Sequence, residues 1–279
     1  MKRIGLTTLL FLVGLAIPVM VFAQESTTDK ITVPLTDPGR PVTLRVSLLN
    51  GSISVKWTPG KEVIVEATTR LEDSRSEDRQ EKIGGLRRIP NTSSGLRVEE
   101  EDNVVEVGAS HFGGSRTTDL HIQVPTNTSA KLSTINDGDI LVENVNGELE
   151  IHNTNGHVTL TNVSGSAVAH ALNGDLIATF IKVDQQKPMS FTSMNGKIDV
   201  TLPADIKATL QMKSEMGDIY SDFDLKLEKT SAKVEESGRG KKGKFQVTIE
   251  KGMRGTINGG GMDMQFKNYN GDIYIRKGK

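Results

Sequence analysis

Residues 136–180 consist of five consecutive nine-residue units, which read NDGDILVEN, VNGELEIHN, TNGHVTLTN, VSGSAVAHA and LNGDLIATF. The third residue of each unit is glycine, and three of these glycines directly follow an asparagine. The second and fourth residues after each glycine are apolar in all five units. This period of two predicts short β-strands, each closed by a glycine turn and repeated in register.

Two architectures fit such strands. An Asn-Gly pair between strands is typical of hairpins, so an antiparallel meander is one alternative. A solenoid is favoured because the glycine interval widens to 22 and then 21 residues between Gly174, Gly196 and Gly217, as if a longer coil were the true unit. A meander would also leave one broad sheet face without helices to cover it. We therefore predict an all-β, single-stranded parallel β-solenoid with apolar columns inside and strands about 4.8 Å apart.

The first 23 residues have the pattern of a secretory signal peptide. Lys2 and Arg3 precede an apolar stretch, and Val21-Phe22-Ala23 places small residues at a cleavage site after Ala23. No other apolar run approaches the roughly 20 residues that a spanning helix needs. We expect an exported, periplasmic or extracellular protein with no membrane span after cleavage.

The mature chain divides into a lead-in at residues 24–41 and a β-solenoid domain at residues 42–279. Within the domain, residues 69–118 are expected to form a partly irregular insertion, because residues 69–93 are highly charged and lack alternation. A short helix around Asp78 to Leu86 and a loop at residues 111–115 are predicted there. Two longer segments frame the nine-residue units and resemble each other, Leu120–Ile140 and Ile198–Ile219; each contains a proline and ends in Gly-Asp-Ile.

Composition excludes several classes of function. The chain carries 34 basic and 35 acidic residues, which argues against a nucleic-acid partner because phosphate contacts need a basic surplus. A basic cluster within residues 239–244 follows two glutamates and suits a solvated hairpin tip. There is no cysteine, so disulfides and thiolate metal sites are excluded. No cofactor is expected.

An 18-residue coil would stack residues 18 apart, which brings candidate ligands together. Asp139, His157 and Asp175 would form a line at the turns, and imidazole with carboxylates suits Zn²⁺. The alternative is that all three are ordinary turn residues. On the opposite side His152 would stack on His170.

Asparagine recurs at the sixth position after glycine, at Asn144, Asn153 and Asn162. A stacked column of these amides would satisfy their hydrogen bonds inside the coil. At the outward positions Leu141, Val168 and Ile177 are apolar, whereas no acid and base are paired by the register. These three residues are therefore predicted to form a contact surface.

The repeats, the proline-containing segments and the terminal GTINGGG…NYNGDIYIRK at residues 255–277 together resemble the DUF4097 family of exported, adhesin-like bacterial proteins, and head-GIN autotransporter-adhesin domains are similar. The resemblance covers residues 42–277. It implies a right-handed single-stranded β-solenoid in the cell envelope or outside the cell, with no established catalytic residues to transfer.

Three function hypotheses follow. The first is a non-enzymatic, adhesin-like protein that presents an extended surface to an envelope polysaccharide or another envelope protein. The second is a carbohydrate-active β-helix enzyme, which needs clustered outward carboxylates. The third is a regulatory partner of an envelope protein.

Overall fold

The computed structural model describes residues 27–71, 95–109, 116–136, 138–228, 234–237, 246–249 and 252–279. The predicted signal peptide, the helix around Asp78, the loop at 111–115 and the basic cluster at 239–244 lie outside these ranges. The regular elements of the described ranges are all β-strands, and 20 of them join in one sheet. The predicted all-β class is therefore confirmed.

In chain order the strands are β1 (Thr27–Val33), β2 (Val42–Asn50), β3 (Ile53–Trp57), β4 (Val63–Leu71), β5 (Leu96–Glu101), β6 (Val104–Ala109), β7 (Arg116–Val124), β8 (Thr128–Asn136), β9 (Ile140–Glu143), β10 (Asn146–Asn155), β11 (Val158–Asn173), β12 (Leu176–Val183), β13 (Met189–Asn195), β14 (Ile198–Leu202), β15 (Ala208–Ser214), β16 (Ile219–Ser221), β17 (Lys226–Leu227), β18 (Val234–Ser237), β19 (Gln246–Ile249), β20 (Met253–Ile257), β21 (Met262–Asn270) and β22 (Ile273–Lys277).

The repeats pair in parallel at an offset of 18 residues. Leu149 lies opposite Ala167, and Val158 lies between Ile140 and Leu176. Two consecutive nine-residue units thus form one layer, with one unit on a first face and the next on a second face. The antiparallel meander is wrong for this region, because these strands run parallel.

Eight such layers stack within the described residues, and each consists of a first-face strand followed by a second-face strand. From one end they are layer 1 (β6, β7), layer 2 (β2, β3), layer 3 (β8, β9), layer 4 (β10, first part of β11), layer 5 (second part of β11, β12), layer 6 (β13, β14), layer 7 (β21, β22) and layer 8 (β15, β16).

The layers do not follow the chain order at either end. The connection from β7 to β8 skips a layer position, which β2 and β3 fill from the N-terminal side. The connection from β14 to β15 skips one as well, and β21 and β22 fill it from the C-terminal side. These two connections contain Pro125 and Pro203, so the two similar segments in the sequence have equivalent places in the fold.

Antiparallel strands cover parts of both ends of the stack. At layer 1, β5 pairs with β6 and β4 pairs with β7, while β1 from the predicted lead-in pairs with β4. At layer 8, β20 pairs with β15 and β17 pairs with β20. The predicted insertion at 69–118 therefore contributes β5, β6 and β7 to the sheet. No helix in the described part of the chain is long and apolar enough to cross a membrane.

The core consists of inward columns, one side chain from each layer. On the second face Val142, Leu160 and Ala178 stack at 0%, 1% and 1% exposure. Layer 5 contributes alanines at several inward positions, and the larger ring of Phe191 in layer 6 lies opposite one of them, Ala169. Phe191 stacks on Phe266 at 5.3 Å between ring centroids. Each fully buried Leu, Ile or Val contributes roughly 1.5–3 kcal/mol to stability.

The predicted amide column at the sixth position after glycine is wrong. Asn144 and Asn162 lie at the corner after the second-face strand, with φ of 57° and 54°, whereas Asn153 is buried in the first face. The three residues do not stack together because one layer contains two units. The Asn153 amide instead donates to the carbonyls of Gly138 and His157 at 3.0 and 3.1 Å.

Candidate functional site

An amide ladder runs along the edge where the first face turns into the second. Each asparagine here lies at the end of a first-face strand, next to the glycine turn. The Nδ2 group of one layer donates to the Oδ1 atom of the layer before it, at 3.2, 3.2, 2.9 and 2.8 Å. The ladder consists of Asn50, Asn136, Asn155, Asn173 and Asn195. It holds this edge straight and evenly spaced from layer 2 to layer 6.

Beside the amide ladder lies an outward column of mostly apolar side chains, which we call the turn-edge stripe. One side chain from each of layers 2 to 7 contributes to it, and the strand register places them directly over one another. The members are Leu49, Ile135, Thr154, Leu172, Met194 and Tyr269. Leu49 is 60% exposed, and Ile135, Met194 and Tyr269 are 43–48% exposed. At about 4.8 Å per layer the stripe is roughly 24 Å long.

The structure divides the contact surface predicted from the sequence. Leu141 and Ile177 share one second-face column with Thr159 between them, and both are half-buried. Val168 is 46% exposed but lies on the first face, between Glu150 and Ser190. The sequence reasoning considered residues after each glycine and missed the stripe. The signal was present, since four of its apolar members stand two residues before a turn glycine and Ile135 stands three before.

The line of Asp139, His157 and Asp175 exists, but its polar atoms bond to the backbone of the next layer. Asp139 Oδ1 accepts from the His157 N–H at 2.7 Å, and His157 Nδ1 accepts from the Asp175 N–H at 3.0 Å. Asp175 Oδ1 accepts from the Lys197 N–H at 3.0 Å. Across the described ranges, no group of three or more His, Asp or Glu side chains is arranged to hold a metal ion. The zinc hypothesis therefore lacks a ligand cluster there.

The predicted stacking of His152 on His170 is confirmed, with ring centroids 6.3 Å apart. Partial burial, together with the nearby His152, lowers the pKa of His170. The Lys131 ammonium, 2.8 Å from Glu150 Oε1, lowers the pKa of that carboxyl against the opposing effect of desolvation, and His152 Nε2 at 3.3 Å adds to the lowering. Glu150 thus stays ionised at neutral pH and serves as an ion-pair partner.

Two other carboxyl groups also have lowered pKa values. Burial alone would raise the pKa of Asp119, but hydrogen bonds from Ser52 and Arg70 outweigh it and lower this pKa. The backbone N–H of Thr36 lowers the pKa of Glu100. A general acid in glycoside hydrolysis needs a raised carboxyl pKa. Every carboxyl with a resolved shift in the described ranges shifts downward, so these groups are suited to structural ion pairs rather than proton donation.

The fold and surface define a class of protein: an all-β stack of parallel layers with a repetitive outer surface. The sequence profile of Toastrack DUF4097 matches residues 12–258. The chain therefore belongs to the DUF4097 family, as its motifs predicted.

Two solved structures are similar to this chain at low sequence identity. One is a "putative cell adhesion protein" from Clostridium sporogenes, at 11% identity and a TM-score of 0.41, covering 91% of this chain and 100% of the other. A second is a "putative adhesin" from Bacteroides fragilis, at 10% identity and a TM-score of 0.40, covering 91% of this chain and 98% of the other. Among curated proteins, none is significantly similar to this chain.

Proposed function

We propose that this protein is an exported, non-enzymatic, adhesin-like component of the cell envelope that binds another envelope protein through its turn-edge stripe. The observation that carries this proposal is the stripe itself, an outward column that crosses six successive layers and has exposed apolar side chains in four of them, at Leu49, Ile135, Met194 and Tyr269. Exposed apolar patches on soluble proteins commonly mark interaction sites. The proposal includes the right-handed single-stranded solenoid, because parallel strands joined by crossover connections are right-handed in nearly all proteins.

The side chains of the stripe favour a protein partner over a saccharide. Aliphatic residues and a methionine dominate it, with Tyr269 as its single aromatic member. Methionine and tyrosine are enriched at protein interfaces, and methionine adapts its shape to a partner. The neighbouring amide ladder already uses its groups within the chain, so recognition would depend on apolar contact repeated along the axis.

The carboxyl groups whose pKa shifts are resolved in the described part of the chain support binding without turnover, because these pKa values are all lowered. Glu150 and Asp119 are paired with cations, and the Arg276 guanidinium binds both oxygens of Asp199 at 2.6 and 3.0 Å. The lowered pKa values of Glu150 and Asp119 keep these two carboxylates ionised at neutral pH, so they do not protonate a leaving group.

The triple variant Leu172→Ser, Met194→Ser and Tyr269→Ser tests the stripe. A photo-crosslinking residue in place of Thr154 would first identify the partner in envelope extracts of the native host, and the purified partner would then be titrated. We expect the triple variant to bind this partner at least tenfold more weakly, because the exposed Met194 and Tyr269 and the half-buried Leu172 are lost from three adjacent layers, while its melting temperature stays close to that of the parent.

The control is the triple variant Leu141→Ser, Val168→Ser and Ile177→Ser, which removes the sequence-predicted contact set. Its affinity should remain within about twofold of the parent. A loss confined to this control would transfer the contact surface to the positions of Leu141, Val168 and Ile177 and overturn the role of the stripe.

Export is a separate prediction. The mature protein should begin at Gln24, carry no lipid and be found outside the cytoplasm. Intact-mass measurement of the protein isolated from its native host decides this, since retention of residues 1–23 would contradict processing.

A further inference from the structure

A groove lies at the corner where the second face returns to the first face, and we call it the corner groove. It has a volume of about 880 Å³, and its lining combines serine, asparagine and glutamine side chains with glycines and charged residues. Its central positions are Ser129, Asn146, Ser164, Ser166 and Lys182. Sites for small molecules usually have volumes of about 300–1,000 Å³. This groove is large enough for a ligand of several rings.

The groove runs along the stack. Asn127, which directly precedes layer 3, pairs with Asn146. Ser164 lies opposite Asn146 on one side and opposite Lys182 on the other. Pro41, just before layer 2, lines the other end. From layer 2 to layer 6 this is roughly 19 Å at about 4.8 Å per layer. The shape therefore suits an elongated ligand lying parallel to the stacking axis.

The polar groups of the groove can both donate and accept hydrogen bonds. Asn146 Nδ2 donates to Asn127 Oδ1 at 3.1 Å, which leaves the other donor and acceptor sites of both amides at the surface. Serine hydroxyls act as donor and acceptor, and the half-buried Ser129 and Ser164 line the groove, whereas Ser166 is buried beneath it. Such a surface complements a ligand whose own groups are hydroxyls.

The charges of the groove balance. Lys187 forms an ion pair with Glu148 and lies 3.9 Å from Asp184 Oδ2. The lysines at 182 and 187 therefore offset the two carboxylates among the lining residues. A strongly charged ligand would gain nothing from this balance and would lose hydration. A neutral ligand fits it.

We propose that the corner groove binds a neutral, unbranched oligosaccharide segment. The site is independent of the turn-edge stripe, because Asn146 and Thr154 lie at opposite ends of β10, about 26 Å apart along an extended strand. The groove thus adds a saccharide site to a protein whose proposed partner surface lies at the other edge.

Isothermal titration calorimetry of the mature protein with cellohexaose, maltohexaose and chitohexaose tests the groove, with hexagalacturonate as the charged comparison. We expect at least one neutral hexasaccharide to bind with a Kd of millimolar or lower and hexagalacturonate to bind more weakly. Ser164→Arg fills the groove and should weaken binding at least tenfold. Asn146→Ala removes one exposed amide and should weaken it about threefold.

Ser190→Arg is the matched control, because Ser190 lies on the first face outside the groove. The affinity of this variant for the saccharide should stay within twofold of that of the parent. The triple serine variant of the stripe should also keep saccharide affinity, which separates a failure here from a failure of the proposed protein contact. Absence of binding by all three neutral sugars, tighter binding of hexagalacturonate, or equal weakening by Ser164→Arg and Ser190→Arg would overturn the proposal. Release of new reducing ends would replace it with the enzyme hypothesis.

Discussion

Leu160→Asp is expected to unfold the central layers. Leu160 is 1% exposed and lies between Val142 and Ala178 in the second-face column. Truncating a buried leucine to alanine costs about 2–5 kcal/mol, and an unpaired buried carboxylate adds a desolvation penalty of several kcal/mol more. Since layers stabilise one another, the loss should spread to layers 3 to 6. Urea denaturation followed by circular dichroism measures it.

Thr159→Asp is the control for this register. Thr159 is one residue earlier and points outward between Leu141 and Ile177. The carboxylate that the substitution introduces therefore stays in water. We expect a change of within about 1 kcal/mol. Equal melting temperatures for the two variants would contradict the assignment of inward and outward positions.

Gly174→Ala should produce the second large loss. Gly174 has φ of +153°, and a Cβ there would lie 2.1 Å from Gly156 O and 2.6 Å from Gly156 C. Both atoms belong to the backbone of the adjacent layer, so no side-chain rotation relieves the clash. The layers must separate locally. This separation also disturbs the hydrogen bond between the side-chain amides of Asn195 and Asn173. We expect a loss of about 2–4 kcal/mol, as for strained backbone sites combined with a broken hydrogen bond.

The matched glycine is Gly252, where a Cβ would meet nothing within 4 Å. Gly252→Ala should change the free energy of unfolding by within about 0.5 kcal/mol, because it adds a methyl group in open space. Thermal denaturation of both variants at one protein concentration makes the comparison. If Gly174→Ala were as stable as Gly252→Ala, the close stacking of turn glycines would be wrong.

The sequence predicted the alignment of one set of candidate residues and missed the turn-edge stripe. It predicted that Asp139, His157 and Asp175 align, because an 18-residue offset follows from the spacing of the glycines. It did not predict that these side chains accept hydrogen bonds from backbone N–H groups, since that depends on how tightly successive turns stack. The stripe was missed because exposure differs before and after a turn, and alternation alone does not show which side of a corner remains open.

For the central layers, the spacing of apolar residues and glycines predicted the strands and their inward residues, and it favoured a parallel solenoid over an antiparallel meander. Period-two apolarity places Val142, Leu160 and Ala178 inward in either architecture, and the parallel 18-residue register is seen in the strand pairing. The order of the layers became clear from the three-dimensional structure alone, because β2–β3 and β21–β22 enter positions that local sequence leaves open. Any apolar strand pair of the right length can fill such a position, so the choice depends on long-range packing. The corner groove likewise arises from residues up to 146 positions apart, from Pro41 to Lys187, that no local pattern connects.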